Sequence, residues 1–211
     1  MVEIVDPGFD AYMRSRLDRF DEPALLEMES EAERRGFPIV GRNVGVTLEV
    51  LARSIGARRV MELGSGFGYS AYWFARATAP DGEVICTDAD PANAEAAARF
   101  LDDAGLRERV TYHVGDALTS FARLDGEFDI VFCDIDKPGY PDAWRAASGR
   151  IRLGGLYLCD NTLGFGGGDV LGAGAGPEAI REHNRLIAED ERYLSTIIPT
   201  REGVLAALRV R

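Results

Sequence analysis

The sequence predicts an α/β domain built on a mostly parallel sheet, with helices on both faces and one antiparallel strand. Three observations predict it. From Arg59 onward, short and continuously apolar runs alternate with helical patterns, as strands buried on both faces require. Several of these runs end in Asp, followed by turn residues or a helix start. The last two runs are joined only by Thr200-Arg201-Glu202-Gly203, a connection short enough for a hairpin and too short for a parallel crossover.

Before the alternation comes a helical stretch, residues 1–36, set apart as an N-terminal arm from a main domain over 37–211. Asp6-Pro7 is a helix start, and Phe9, Tyr12, Met13, Leu17 and Phe20 fall near one helical face. Pro23 opens a second helix with Leu25, Met28 and Ala32 on one side, closed by Arg34-Arg35-Gly36. This arm is expected to cap the main domain or to pack on a partner subunit, and a homodimer is the expected assembly. A third helix is predicted from Val44 to Ile55. VMEL is then followed by a helix after Phe67, and EVICTD by one over Pro91–Ala104. RVTYHV leads to a short helix around Leu118, and FDIVFCD to one across Trp144. GGLYLCD leads to the glycine-rich run at 164–176, expected to be a mobile loop and a candidate lid. A helix from Pro177 to Glu189 and strands at Tyr193–Ile198 and Val204–Val210 finish the chain.

Composition narrows the function classes. A net charge of −11 repels phosphate backbones and anionic lipid, so neither nucleic acid nor membrane is the expected partner. No apolar run reaches spanning length and no secretory leader is visible. Cys86, Cys133 and Cys159 each sit in an apolar run. They read as buried thiols of a reducing compartment, and the cytoplasm is the expected location. Of 24 basic residues a single one, Lys137, is lysine. His113 and His183 stand 70 residues apart, without ligand spacing, and both read as structural.

The segment Glu62-Leu63-Gly64-Ser65-Gly66-Phe67-Gly68-Tyr69-Ser70 ends the first strand and opens a helix, a turn that brings backbone N–H groups close to a ligand. A dinucleotide fingerprint wants its third glycine where Tyr69 stands. The pattern acidic-x-G-x-G-x-G resembles instead motif I of class I methyltransferases. Asp88, 24 residues after Gly64, stands where an acidic side chain accepts ribose hydroxyls. Its competing role, capping the helix at Pro91, suits Asp90 better. Asp116 ends the third strand, where an adenine edge would lie, or else caps the next helix.

Two further strand ends carry Asp134-Ile135-Asp136-Lys137 and Asp160-Asn161. Two carboxylates and an amide oxygen form a hard oxygen set suited to Mg²⁺, although Asp and Asn are also ordinary turn residues. Taken together, MELGSGFGYSA, ICTDADP, FCDIDKPGY and GGLYLCDN resemble the metal-dependent O-methyltransferase family that includes catechol and caffeoyl-coenzyme A O-methyltransferases. The resemblance runs from about Gly45 to the C-terminus. It implies a Rossmann-like class I methyltransferase fold with a seven-stranded sheet, S-adenosylmethionine and Mg²⁺ or another divalent cation as cofactors, and a small hydroxylated aromatic acceptor with vicinal hydroxyls. It implies metal ligation by Asp134, Asp160 and Asn161, with Lys137 as general base. Glu62, Gly64, Ser65, Gly66, Tyr69, Ser70, Asp88, Ala89, Asp116, Ala117 and Asp134 fall where that family holds the cofactor. Val44, within Asn43-Val44-Gly45, resembles its N-terminal cofactor-contacting loop.

The chain departs from the family in two places. Gly164-Phe165 follows Leu163 where Leu-Trp often follows the Asp-Asn pair, and the late Asp-Gly turn is Glu202-Gly203. Three rival readings stay open on the sequence. These are a metal-independent methyltransferase of the same fold, a nucleotide-binding oxidoreductase, and a non-catalytic cofactor-binding protein.

Overall fold

The computed structural model describes residues 5–165 and 168–211. Strands β1 (Arg59–Leu63), β2 (Glu83–Asp88), β3 (Val110–Val114), β4 (Phe128–Cys133) and β5 (Ile151–Cys159) run parallel. β6 (Gly164–Phe165) and β7 (Gly168–Asp169) form a separate two-residue ladder. β8 (Tyr193–Ile198) and β9 (Val204–Arg209) complete a seven-stranded sheet in the order β3-β2-β1-β4-β5-β9-β8. β9 is antiparallel to both β5 and β8. The mostly parallel, seven-stranded sheet with one antiparallel strand is therefore the fold that the sequence predicts.

The helices are α1 (Pro7–Ser15), α2 (Pro23–Arg35), α3 (Gly41–Ser54), α4 (Tyr69–Ala77), α5 (Pro91–Asp103), α6 (Ala117–Ala122), α7 (Tyr140–Ala147) and α8 (Ala175–Ala188). Alternate strand residues divide between two cores. Val60, Ile130 and Phe132 face one that includes Leu25 and Met28 of α2, Val44 and Leu48 of α3, and Phe100 of α5. Met61, Val131 and Cys133 face the other, with Phe121 of α6, Trp144 of α7 and Ile180 of α8. Period-two alternation with both faces apolar explains why the strands read as unbroken hydrophobic runs. None of the helices among the described residues is long and apolar enough to cross a membrane.

Several boundaries differ from expectation. α1 starts at the Asp6 cap, whose side chain accepts the Gly8 N–H, but it ends at Ser15 and buries none of its residues. Phe9 (69% exposed) and Tyr12 (64%) stay in solvent, so its apolar stripe does not face the core. α3 begins three residues before Val44, at Gly41. β5 begins at Ile151, before the apolar run, and its pairing with β4 shifts register between Phe128 and Ile130. In the glycine-rich run, residues 166–167 lie outside the described residues, so the lid expectation falls partly on them. Its far end, Gly176, lies against the Lys137 side chain.

Candidate active site

β1 is flanked by β2 on one side and β4 on the other, so the chain reverses its direction of sheet growth there. A crevice opens outside the carboxyl ends of strands at such a switch point. Here it is a cleft of about 590 Å³ lined by residues following β1, β2, β3, β4 and β5. Gly64, at φ +81°, closes its floor. A Cβ at this position would stand 2.5 Å from the Asp134 carbonyl oxygen, so only glycine lets the first turn lie against the fourth strand.

One end of the cleft is shaped by the glycine turn. Asp88 Oδ2 accepts the Gly66 N–H (3.1 Å). Its Oδ1 accepts the Asp90 N–H (2.9 Å) and the Asn93 side-chain N–H (3.1 Å). Asp90 caps α5 by accepting the Ala92 N–H (2.9 Å), which leaves Asp88 free of that task. Asp116 lines the cleft and also caps α6, accepting the Thr119 N–H at 2.7 Å. The two Thr119 hydrogen bonds hold the Asp116 carboxyl below its ordinary range. Gly64, Ser65, Gly66, Tyr69, Ser70, Asp88, Ala89, Ala117 and Asp134 line the same cleft.

Two of the residues assigned to the cofactor lie elsewhere. Val44 is fully buried inside α3, in the core rather than in a loop. The helix starts before it, and residues 37–40 take the place in the cleft wall. Glu62 is fully buried on β1, beneath the cleft. Burial pushes its carboxyl up to about 7, with the neighbouring Ser70, Ser65 and Cys86 side chains pulling the other way. Its Oε1 has no hydrogen-bond partner among the described residues.

At the other end the carboxylates converge. Asp134 and Asp160 follow paired residues, Cys133 and Cys159, of adjacent parallel strands. Burial first, and the Asp134 charge second, push the Asp160 carboxyl up to about 8. Asp134 is also raised, by desolvation, with Lys137 and Arg201 pulling it down. Asp160 Oδ1 is buried without a hydrogen-bond partner among the described residues. Asn161 has a left-handed backbone, φ +55°, which the adjoining contacts hold in place: Thr162 N–H donates to the Gly203 carbonyl (3.0 Å) and Asn184 Nδ2 donates to the Thr162 carbonyl (2.9 Å).

Lys137 sits in a single 3₁₀ turn, Lys137–Gly139. Its Nζ donates to Asn161 Oδ1 (2.7 Å) and to the Tyr140 hydroxyl (2.8 Å), and stands 3.8 Å from Asp134 Oδ1. The Tyr140 hydroxyl in turn donates to the Asp160 carbonyl (2.8 Å). Among the described residues no group of three or more His, Cys, Asp or Glu side chains is gathered for a metal. The donor set here is two carboxylates and one amide oxygen. An orphaned buried carboxylate oxygen, two carboxyls lifted by burial, and an amide oxygen that already accepts a cationic donor fit a hard divalent cation.

A profile of the O-methyltransferase family matches residues 21–210. This chain belongs to the O-methyltransferase family. It is similar to a catechol O-methyltransferase of Mycobacterium tuberculosis, 34% identical over 92% of this chain and 89% of that one. It is also similar to a catechol O-methyltransferase of Niastella koreensis, 34% identical over 68% of each chain. Among solved structures, the O-methyltransferase TomG of Streptomyces achromogenes, in complex with SAM, superposes with a TM-score of 0.87 at 30% identity over the whole of both chains. An O-methyltransferase of Bacillus cereus in complex with SAH does so at 0.84 and 26%, over 96% of this chain and 97% of that one.

The cleft also holds residues to which the sequence assigns no ligand role. Phe37–Val40 and the turn residues Arg201 and Glu202 line the cleft. Arg201 Nη1 donates to the Ile39 carbonyl (2.7 Å) across 162 residues of sequence. Its φ of +46° marks a held turn, and no local pattern announces that contact. Tyr140 was visible only as the last letter of DIDKPGY; its hydroxyl proves to join Lys137 to the Asp160 backbone.

Proposed function

We propose that this O-methyltransferase transfers the methyl group of S-adenosylmethionine to one hydroxyl of a small aromatic acceptor bearing two adjacent hydroxyls. A divalent cation, Mg²⁺ by preference, would be held by Asp134, Asp160 and Asn161. The observation that carries this reading is the juxtaposition of Asp134 and Asp160 beside Lys137. Two neighbouring carboxyls with an unsatisfied buried oxygen cost stability unless a cation compensates them.

The cofactor brings an electrophilic methyl on sulfonium, which is the difficult part of the chemistry. A cation at the oxygen cluster would favour the ionised hydroxyl and hold two adjacent oxygens. The chain supplies position and a proton acceptor. Asp88 has three donors in place. Of the roughly four lone-pair sites of a carboxylate, that leaves about one for a ribose hydroxyl. Asp116 and Ala117, which line the cleft, would meet the adenine edge. Lys137 Nζ takes the hydroxyl proton as the O–C bond forms and the C–S bond breaks. Tyr140 and Asn161 fix that nitrogen between them, a proximity effect in which small displacements matter.

The assembly that goes with this reading is a homodimer, supported by the open Phe9 and Tyr12 of α1; light scattering at micromolar concentration tests it. The functional test is methyl transfer to matched dihydroxy and monohydroxy aromatics. The diol is expected to be strongly preferred, and equal kcat/KM on both would refute the reading.

A further inference from the structure

Near the end of the arm set apart by the sequence, one side chain connects to a carboxylate of the cleft through a single buried amide. Arg35, the last residue of α2, donates from Nη2 to Asn93 Oδ1 at 2.9 Å. Asn93 is buried, and its Nδ2 donates to Asp88 Oδ1 at 3.1 Å. Guanidinium only donates and carboxylate only accepts, so the amide has one orientation that satisfies both. Asn93 does not line the cleft; its side chain serves Asp88.

The other oxygen of Asp88 is held by the glycine turn, against which Phe37, two residues past the end of α2, packs. Oδ2 accepts the Gly66 N–H, and a Cβ on Gly66 would stand 2.8 Å from the Phe37 ring. The Arg35 guanidinium lies over the Phe37 and Phe67 rings, 5.2 and 5.5 Å from their centroids. Farther up α2, Glu29 Oε1 accepts the hydroxyl of Tyr69, a cleft residue, at 2.9 Å.

We propose that Arg35 and Asn93 are positioning residues for the cofactor. Through them the docking of α2 holds the Asp88 carboxylate in the orientation that leaves one site open to the ribose. The inference rests on the reading of Asp88 as a ribose ligand. Docking of α2 and cofactor binding are then coupled, and the coupling runs both ways.

The test is calorimetric binding of S-adenosylhomocysteine to the full chain. Arg35 is exposed, so Arg35→Gln is expected to fold normally. It should weaken binding about three- to tenfold, the loss of one charge-assisted hydrogen bond. The KM for S-adenosylmethionine should rise with kcat at saturation unchanged. Arg35→Lys, which keeps a cationic donor, should recover most of the affinity. In an Asn93→Ala background Arg35→Gln should add nothing further. Hydrogen exchange over residues 23–35 should slow when S-adenosylhomocysteine is added. Wild-type affinity in Arg35→Gln, with Asp88→Ala weakened, would overturn the relay and spare the ribose reading. Wild-type affinity in Asp88→Ala would overturn both. Should Asn93→Ala fail to fold, the Gln and Lys variants of Arg35 decide the matter alone.

Discussion

Lys137 is the sole lysine of the chain, so an amine-directed acylating reagent has that side chain and the α-amino group to find. Acylation of Lys137 should abolish methyl transfer and leave S-adenosylhomocysteine binding intact, and bound acceptor should shield the residue. Lys137→Arg should be inactive, because guanidinium keeps its proton at any working pH. Near wild-type turnover in Lys137→Met would remove the base from the account. At the opposite end, Asp88→Ala should weaken S-adenosylhomocysteine by about 1–3 kcal/mol, the cost of unpaired polar partners; calorimetry checks it. These residues were legible because strand-end carboxylates and the glycine turn occupy short contiguous stretches of sequence. Arg201 and Phe37 were not, because each reaches the cleft from an element distant in sequence and neither residue type signals that placement.

Packing of whole elements explains where the sequence reading slipped. The resemblance makes Val44 a cofactor contact, whereas it lies within a helix that starts at Gly41 and turns it into the core. Gly45, next to it, falls within the helix predicted from Val44 to Ile55, with no packing role assigned to it. A Cβ there would stand 2.2 Å from the buried Trp73 indole of α4, so the residue lets α3 and α4 approach. Gly45→Ala should therefore destabilise the fold by about 3 kcal/mol, the upper range for overpacking, measured by urea unfolding. α8 makes a second testable contribution through His183, which is fully buried, packs at a tilt against the rings of Tyr140 and Tyr157, and has Nε2 3.1 Å from the Tyr157 hydroxyl. Burial lowers its pKa to about 4. With an unfolded value of roughly 6.5, the unfolded chain binds the extra proton first as the pH falls. Stability from this group is thus complete above 6.5 and lost between there and 4, by at most about 3 kcal/mol. Unfolding midpoints across that window should fall less steeply in His183→Gln than in the wild type. An unchanged slope would show that His183 does not supply this share.

Across the whole molecule, the alternation of apolar strands and helices made the sheet readable, and the carboxylates at successive strand ends made the residues of the cleft readable, while the strand order that opens it came only with the fold. The fate of the arm was not readable. α1 and α2 carry similar helical stripes, but only α2 buries its apolar residues, among them Leu25 and Met28, and that choice depends on surfaces formed by α3, α4 and α5. Nor was the whole cleft readable, because side chains such as Arg201, Glu202 and Lys137 meet only in the folded chain. In the proposed function the oxygen cluster of Asp134, Asp160 and Asn161 works with a bound cation. The direct measurement is the rate of methyl transfer from S-adenosylmethionine to a 1,2-dihydroxybenzene in excess chelator, followed by titration with Mg²⁺, for the wild type and Asp160→Ala. The expected result is loss of turnover in chelator, recovery with Mg²⁺ in the wild type alone, and cofactor affinity largely retained in the variant. Full turnover in excess chelator would contradict the account.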